Sequence, residues 1–295
     1  MNEFKTYHPI VNFAYFAFVI GFSCVFMHPV SLGISLTSGF IYSVMLKGKK
    51  VIKTNLIYML PMMVLMTLIN TFFNHEGVTI ITYLLDGNPL TLESAVYGFA
   101  AATMIFSVIC HFSCYNEVMT SDKFLYLFGR ILPSLSLVIS MTLRFVPKFT
   151  AQLKIVADAQ KCMGRDVSNG NIISRAKYGI KILSIMTTWA LENAIETADS
   201  MKSRGYGLSG RTSFSIFKFD KRDKKVLFCI LLLGAYTISG SLLGGMKFSY
   251  FPRIKGMGAS LFNISVFVSY LLLCMCPVMI EIWEVRRWKA IDSKI

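Results

Sequence analysis

The sequence predicts an all-α, polytopic helical membrane protein, with about six spans, a re-entrant segment and a cytoplasmic module of two long helices. Three observations carry this. Apolar residues make up 54% of the 295 and charged residues only 16%, where soluble domains carry about 25% charge. The apolar residues fall into runs of about 18, near the lower limit for crossing roughly 30 Å of hydrocarbon. The Lys and Arg residues cluster between certain runs and not others, as the positive-inside rule requires. That rule also accounts for the net charge of +14, so no nucleic-acid partner is expected.

The N-terminus lacks the pattern of a cleaved signal: only Lys5 is basic ahead of the first apolar run, and no small-residue cleavage site follows it. Ile10–Met27 is the first run. His28-Pro29 breaks the chain, and Val30–Leu46 is the second. Lys47, Lys49, Lys50 and Lys53 then mark a cytoplasmic loop, which puts the N-terminus inside. Leu56–Phe73 leads outward and tolerates Pro61, because neighbouring helices can satisfy a freed carbonyl. Residues 74–90 contain His75, Glu76 and Asp86 but no Lys or Arg, and so suit the outside; within them Val78–Leu85 is too short to span and reads as re-entrant or interfacial. Leu92–Phe112 returns inward.

Phe124–Leu143 is apolar but interrupted by Arg130 and Pro133. A mid-membrane Arg is costly, and a span here would carry the following basic region outside. The segment therefore reads as partly buried or re-entrant on the cytoplasmic side. Residues 144–225 hold 16 Lys or Arg against 7 Asp or Glu, with no run long enough to span. They read as a cytoplasmic pair of helices, about Pro147–Met163 and Ile172–Arg204, with a turn at Asn169-Gly170. The second would be on the order of 50 Å long. Its apolar face is predicted as Ala176, Ile180, Leu183, Met186, Ala190, Ala194, Ala198 and Met201. Val226–Leu243 goes out. The loop 246–258 carries Lys247, Arg253 and Lys255, against the charge rule, and Leu261–Ile282 comes back. Arg286, Arg287 and Lys289 then anchor a cytoplasmic C-terminus, with Trp283 and Trp288 at interface depth. The expected division is a membrane region 1–143, a cytoplasmic module 144–225 and a membrane region 226–295.

One phrase occurs twice. Ala157-Asp158-Ala159-Gln160-Lys161-Cys162-Met163-Gly164 and Ala198-Asp199-Ser200-Met201-Lys202-Ser203-Arg204-Gly205 share Ala, Asp, Lys and Gly in register, at an offset of 41 residues (205 minus 164). Each closes a predicted helix with a polar last turn and then Gly, the usual residue just past a helix end. Two similar helix ends suggest two similar docking roles, although Lys and Gly are common at helix C-termini in any protein.

Other chemistry finds little support. The chain has no G-x-x-x-x-G-K-[ST] phosphate loop, no G-x-S-x-G elbow and no H-E-x-x-H helix. Intramembrane carboxylates are confined to the rims, at Glu93 and Glu281, unlike a proton-coupled carrier. His111 between Cys110 and Cys114 reads as packing rather than a metal site. The seven Cys mostly lie in apolar runs and imply no disulfide framework. A non-catalytic chain without a cofactor or metal of its own is expected.

At the repeated phrase the chain resembles the transmembrane T component (EcfT- or CbiQ-like) of energy-coupling factor transporters, ABC-type importers of vitamins and transition-metal ions. Ser203-Arg204-Gly205 is similar to the family's Ala-Arg-Gly-like docking motif. Cys162-Met163-Gly164 is similar in its Gly and in the preceding Gln160-Lys161, but has Met163 where the family has Arg, with Arg165 one residue past the Gly. Residues 90–99 and 121–147 are also similar to family stretches. The resemblance implies two coupling helices, each ending in a motif that docks on one of two ATP-binding cassette ATPase subunits, which bind the ATP. Asp158, Gln160, Lys161, Asp199 and Lys202 would support those ends. A separate substrate-binding membrane S component would carry the substrate choice, and the mismatch of the motifs favours two different ATPases. Two other functions fit the residues alone: the permease subunit of another ABC importer, or a membrane enzyme or regulator whose basic module binds anionic lipid.

Overall fold

The computed structural model describes residues 3–83, 87–129, 132–208, 217–256 and 260–292. Helix dominates. In chain order the helices are α1 (Pro9–Val25), α2 (Pro29–Lys47), α3 (Lys50–Phe73), α4 (Leu92–Val118), α5 (Ser121–Gly129), α6 (Pro133–Cys162), α7 (Ile172–Ser203), α8 (Lys221–Leu242) and α9 (Leu261–Asp292). By length and composition five of these could cross a membrane among the described residues: α2, α3, α4, α8 and α9. The shorter α1, 17 residues, is also apolar. Contacts divide the chain into one unit of 1–124 with 217–295 and a second of 125–216, the division falling inside α5.

In the first unit α1 and α2 each start where Pro takes the first helical turn and the preceding His, His8 or His28, accepts the next free N–H through its side chain. The core between α1, α2, α4, α8 and α9 is aromatic, with Tyr15, Phe16, Tyr42 and Tyr270 fully enclosed. Polar side chains tie the same helices. Ser35 on α2 bonds Ser23 on α1 and Ser107 on α4. His111 Nε2 lies 3.1 Å from the Ser35 carbonyl. Such bonds hold helices together where hydrophobicity gives no net pull, since lipid tails are as apolar as Leu. The apolar α3 buries none of its residues; it meets α4 where Gly98 lets Asn70 approach and donate to the Ser94 carbonyl, 2.7 Å. Gly240 serves α8 similarly, since a Cβ there would overlap the Val266 methyls on α9.

Two connections are short antiparallel hairpins. Ile80–Tyr83 (β1) pairs with Pro89–Thr91 (β2), and Phe248–Ser249 (β3) with Lys255–Gly256 (β4). The first lies in the segment expected at 78–85 to be re-entrant or interfacial: Thr79 donates its backbone N–H and hydroxyl to Glu93, which pins the hairpin to the start of α4. Leu84, Leu85 and Asp86 lie outside the described residues, as do Arg130 and 209–216.

The second unit is a helical hairpin of α6 and α7. Residues 124–143, read from sequence as one buried or re-entrant piece, are divided between α5 and α6. Pro133 takes the first turn of α6, and Pro147, the predicted helix start, lies inside it. The helices run antiparallel: Val156 packs with Ile182 and Met186, and Phe149 stacks edge-on against Trp189, ring centroids 5.1 Å apart. Lys148 Nζ donates to Asn193 Oδ1 at 2.6 Å and lies 5.4 Å from the Trp189 ring centre. The packed stripe of α7 is thus Ile182, Ile185, Met186 and Trp189. The face predicted from sequence shares Met186 with this stripe but is otherwise rotated from it. Ile180 and Leu183 are 67% and 62% exposed. The small Ala side chains give the predicted stripe its regularity but little apolar area, and α6 packs on the bulkier neighbouring stripe.

Candidate functional site

The predicted docking residues sit at the two ends of the α6–α7 hairpin where each helix stops. Both stops have the same architecture. At the end of α6, Gly164 has φ +75°; its N–H bonds the Lys161 carbonyl at 3.0 Å, and the next N–H, of Arg165, bonds the Gln160 carbonyl at 2.9 Å. At the end of α7, Gly205 has φ +76°; its N–H bonds the Lys202 carbonyl at 3.0 Å, and Tyr206 N–H bonds the Met201 carbonyl at 3.0 Å. This paired pattern closes a helix through one left-handed residue, a conformation that strongly favours Gly.

The equivalence extends to the side chains. Gln160 is buried and its counterpart Met201 half-buried. Asp158 and Asp199, Lys161 and Lys202, Cys162 and Ser203, and Met163 and Arg204 are all exposed. The residue before each Gly has nearly the same backbone, φ −86° and ψ 12° for Met163, φ −84° and ψ 9° for Arg204. The two sets do not form one site. They lie at opposite ends of α7, whose 32 residues separate them by about 48 Å.

Each end is braced differently. After Gly164, Asp166 accepts from the Ser168 N–H at 2.8 Å and the Ser168 hydroxyl at 2.6 Å, and Asn169 Nδ2 donates to its other oxygen. The Ser168 hydroxyl and N–H hold the Asp166 carboxyl below the usual carboxylate range, helped by Lys161. Lys161 Nζ lies 3.7 Å from Asp166, and Arg165 Nη1 is 3.5 Å from Gln160 Oε1. The first end therefore turns its cations towards its own loop. At the second end Arg204 and Lys202 are exposed without an ion-pair partner among the described residues, and Ser203 bonds back to the Ser200 carbonyl. Cations here also oppose the partial negative charge of a helix C-terminus. Sequence reasoning missed the Asp166 brace. Its signal was present in the Asp-x-Ser spacing, by which an Asp side chain caps the backbone two residues on.

The arrangement offers an exposed guanidinium on a hydrogen-bonded helix end. Among the described residues no group of three or more His, Cys, Asp and Glu could hold a metal ion.

No protein-family model matches the chain. The energy-coupling factor transporter transmembrane protein EcfT of Lactobacillus helveticus is 32% identical over 156 residues, 50% of this chain and 56% of that protein. EcfT of Streptococcus thermophilus is 30% identical over 151 residues, 51% of this chain and 49% of that protein. EcfT of Lactococcus lactis is 33% identical over 100 residues, 34% and 38% respectively. The chain thus matches about half the length of these curated relatives, or less. Across that part the chain is EcfT-like, similar to the transmembrane component of energy-coupling factor transporters.

Proposed function

We propose that this chain is the non-catalytic coupling subunit of an energy-coupling factor importer. Two ATP-binding cassette ATPase subunits bind and hydrolyse the ATP, and the ends of α6 and α7 each dock on one of them. The observation that carries this reading is the duplicated helix end at Gly164 and Gly205, matched in dihedrals, hydrogen bonds and exposure. One chain then offers two contacts of the same backbone form to two partners. A permease that dimerises would need only one contact per chain.

Arg204 pairs with a carboxylate in its ATPase groove, where a guanidinium forms two charge-assisted bonds at once. When ATP draws the ATPases together, the two ends move relative to each other. The Trp189–Phe149–Lys148 junction makes the hairpin respond as one lever. Its unpacked stripe, including Ile180, Leu183, Leu191 and Ile195, all more than 60% exposed, is the surface that meets a separate substrate-binding membrane S component. That component brings the vitamin or transition-metal ion; this chain needs no cofactor. In this reading the hairpin and both chain termini are cytoplasmic, and the protein sits in a prokaryotic cell membrane.

The test is co-expression with paired ATPases and purification through a tag on this chain. Arg204→Glu is expected to release one ATPase and abolish ATP-driven uptake, and Met163→Glu to weaken the other contact. Intact assembly and uptake with Arg204→Glu would overturn the docking role. Docking in a groove should also survive moderate salt, whereas binding of the basic module to lipid headgroups falls steeply with ionic strength.

A further inference from the structure

Within the first unit, two cavities meet where α1 and α8 end and α2 begins. One, of about 520 Å³, is lined by His28, Lys247, Ser249 and Lys255 together with apolar residues. The other, of about 420 Å³, is an almost wholly apolar cleft between α1 and α8, floored by Gly21 and walled by Phe18 and Ile238. Val25, Phe26 and Ser241 line both, so the two adjoin. A Cβ on Gly21 would meet nothing within 4 Å, and the mouth is apolar, with Val25 70% and Leu242 80% exposed.

The polar half is cationic. Residues 244–256 hold Lys247, Arg253 and Lys255 and no Asp or Glu, and neither lysine has an ion-pair partner among the described residues. These are the charges that run against the positive-inside rule. His28 is held between the rings of Phe248 and Phe267, at 5.2 and 4.7 Å. Its Nδ1 accepts the Val30 N–H at 3.2 Å, so the neutral ring carries its proton on Nε2 and offers a donor. Burial pushes its pKa below the ordinary value, which favours that neutral form.

A small anion would use the lysines but leave the cleft empty, and a neutral chain would fill the cleft but leave the lysines unpaired. We propose that the composite cavity binds an anionic phospholipid, with its phosphodiester held by Lys247, Lys255 and the His28 Nε2–H and an acyl chain in the α1–α8 cleft. The junction of the two cavities lies at the ends of apolar helices, the depth at which a phospholipid changes from headgroup to chain.

The experiment is native mass spectrometry of the full chain in detergent, with dioleoylphosphatidylglycerol, dioleoylphosphatidylcholine or inorganic phosphate added. The wild type is expected to retain the phosphatidylglycerol at least about tenfold over the phosphatidylcholine, and phosphate not to compete at millimolar concentration. Lys247→Glu with Lys255→Glu should bring the ratio to about one, and Gly21→Trp should reduce both lipids together. Lys247→Gln with Lys255→Gln serves if the reversed charges impair folding. Equal retention of the two lipids by wild type, an unchanged preference in the lysine variants, or displacement by phosphate alone would overturn the proposal.

Discussion

Met163 and Arg204 are the same residue position in two copies of one helix stop. Their backbone angles differ by only a few degrees, and each precedes a Gly at φ near +75°. The backbone is duplicated and the charge is not. Arg165 does not restore the symmetry: it falls at the position of Tyr206, and its guanidinium turns back to Gln160.

That asymmetry predicts unequal effects at the two ends. Removing one side of a buried charge pair costs about 2–5 kcal/mol, so Arg204→Ala should weaken ATPase binding at least tenfold. Arg165→Ala, which removes a cation already turned towards its own loop, should weaken it by less than about threefold. Titration of purified ATPase onto immobilised protein checks both. Equal losses would mean that Arg165 takes the docking role at the first end.

The left-handed turn can be tested apart from the charge. A β-branched side chain at φ +76° is strained, and a Cβ on Gly205 would also meet Leu208 at 3.1 Å. Gly205→Val should unravel the last turn of α7 and weaken ATPase binding although Arg204 remains. Gly205→Asn should be milder, because Asn tolerates this conformation. Hydrogen exchange at residues 200–206 reports the turn directly, and similar behaviour of the two variants would count against it.

The hairpin should depend on the residues that pack rather than on every residue of the face that is regular in sequence. Met186, 7% exposed against Val156 and Ile182, is expected to destabilise the hairpin by about 2–5 kcal/mol when changed to Ala. Leu183→Ala, at an exposed site, should leave stability within about 0.5 kcal/mol while impairing S-component contact. Limited proteolysis of the 125–216 region separates the two.

Lys123 predicts a pH dependence in the first unit. It is 5% exposed and donates to the Lys5 carbonyl. Burial, with the Lys5 ammonium second, pushes its pKa from 10.5 down to about 8. Below about pH 8 the lysine is charged in both folded and unfolded states, and burying that charge disfavours folding in full. Between about pH 8 and 10 the folded form releases its proton first, so stability rises with pH. The melting temperature in detergent should therefore climb between pH 7 and 9.5 in wild type more than in Lys123→Met. Parallel slopes would remove Lys123 as the cause.

Much of this architecture is legible in sequence because it is local. The spans follow from apolar run length, the stops of α6 and α7 from Gly after a polar turn, and α1 and α2 from His-Pro. What is lost depends on distant partners. Residues 80–83 form a strand because residues 89–91 pair with them and Glu93 accepts the N–H of Thr79 just before them. The start of α6 moves to Pro133 because a proline can begin a helix or be tolerated within one, and the sequence does not say which.

Taken alone, the sequence determined that the chain is an apolar helical protein with a basic helical insert carrying one phrase twice. Composition and spacing suffice for that, since each helix closes its own hydrogen bonds. Only the tertiary structure decided which stripe of α7 is covered, that the two phrases end in the same turn some 48 Å apart, and that Lys247 and Lys255 open onto an apolar cleft. Those facts turn on which side chains α6 and α1 bring to α7 and α8, and such contacts leave no periodicity in either partner alone.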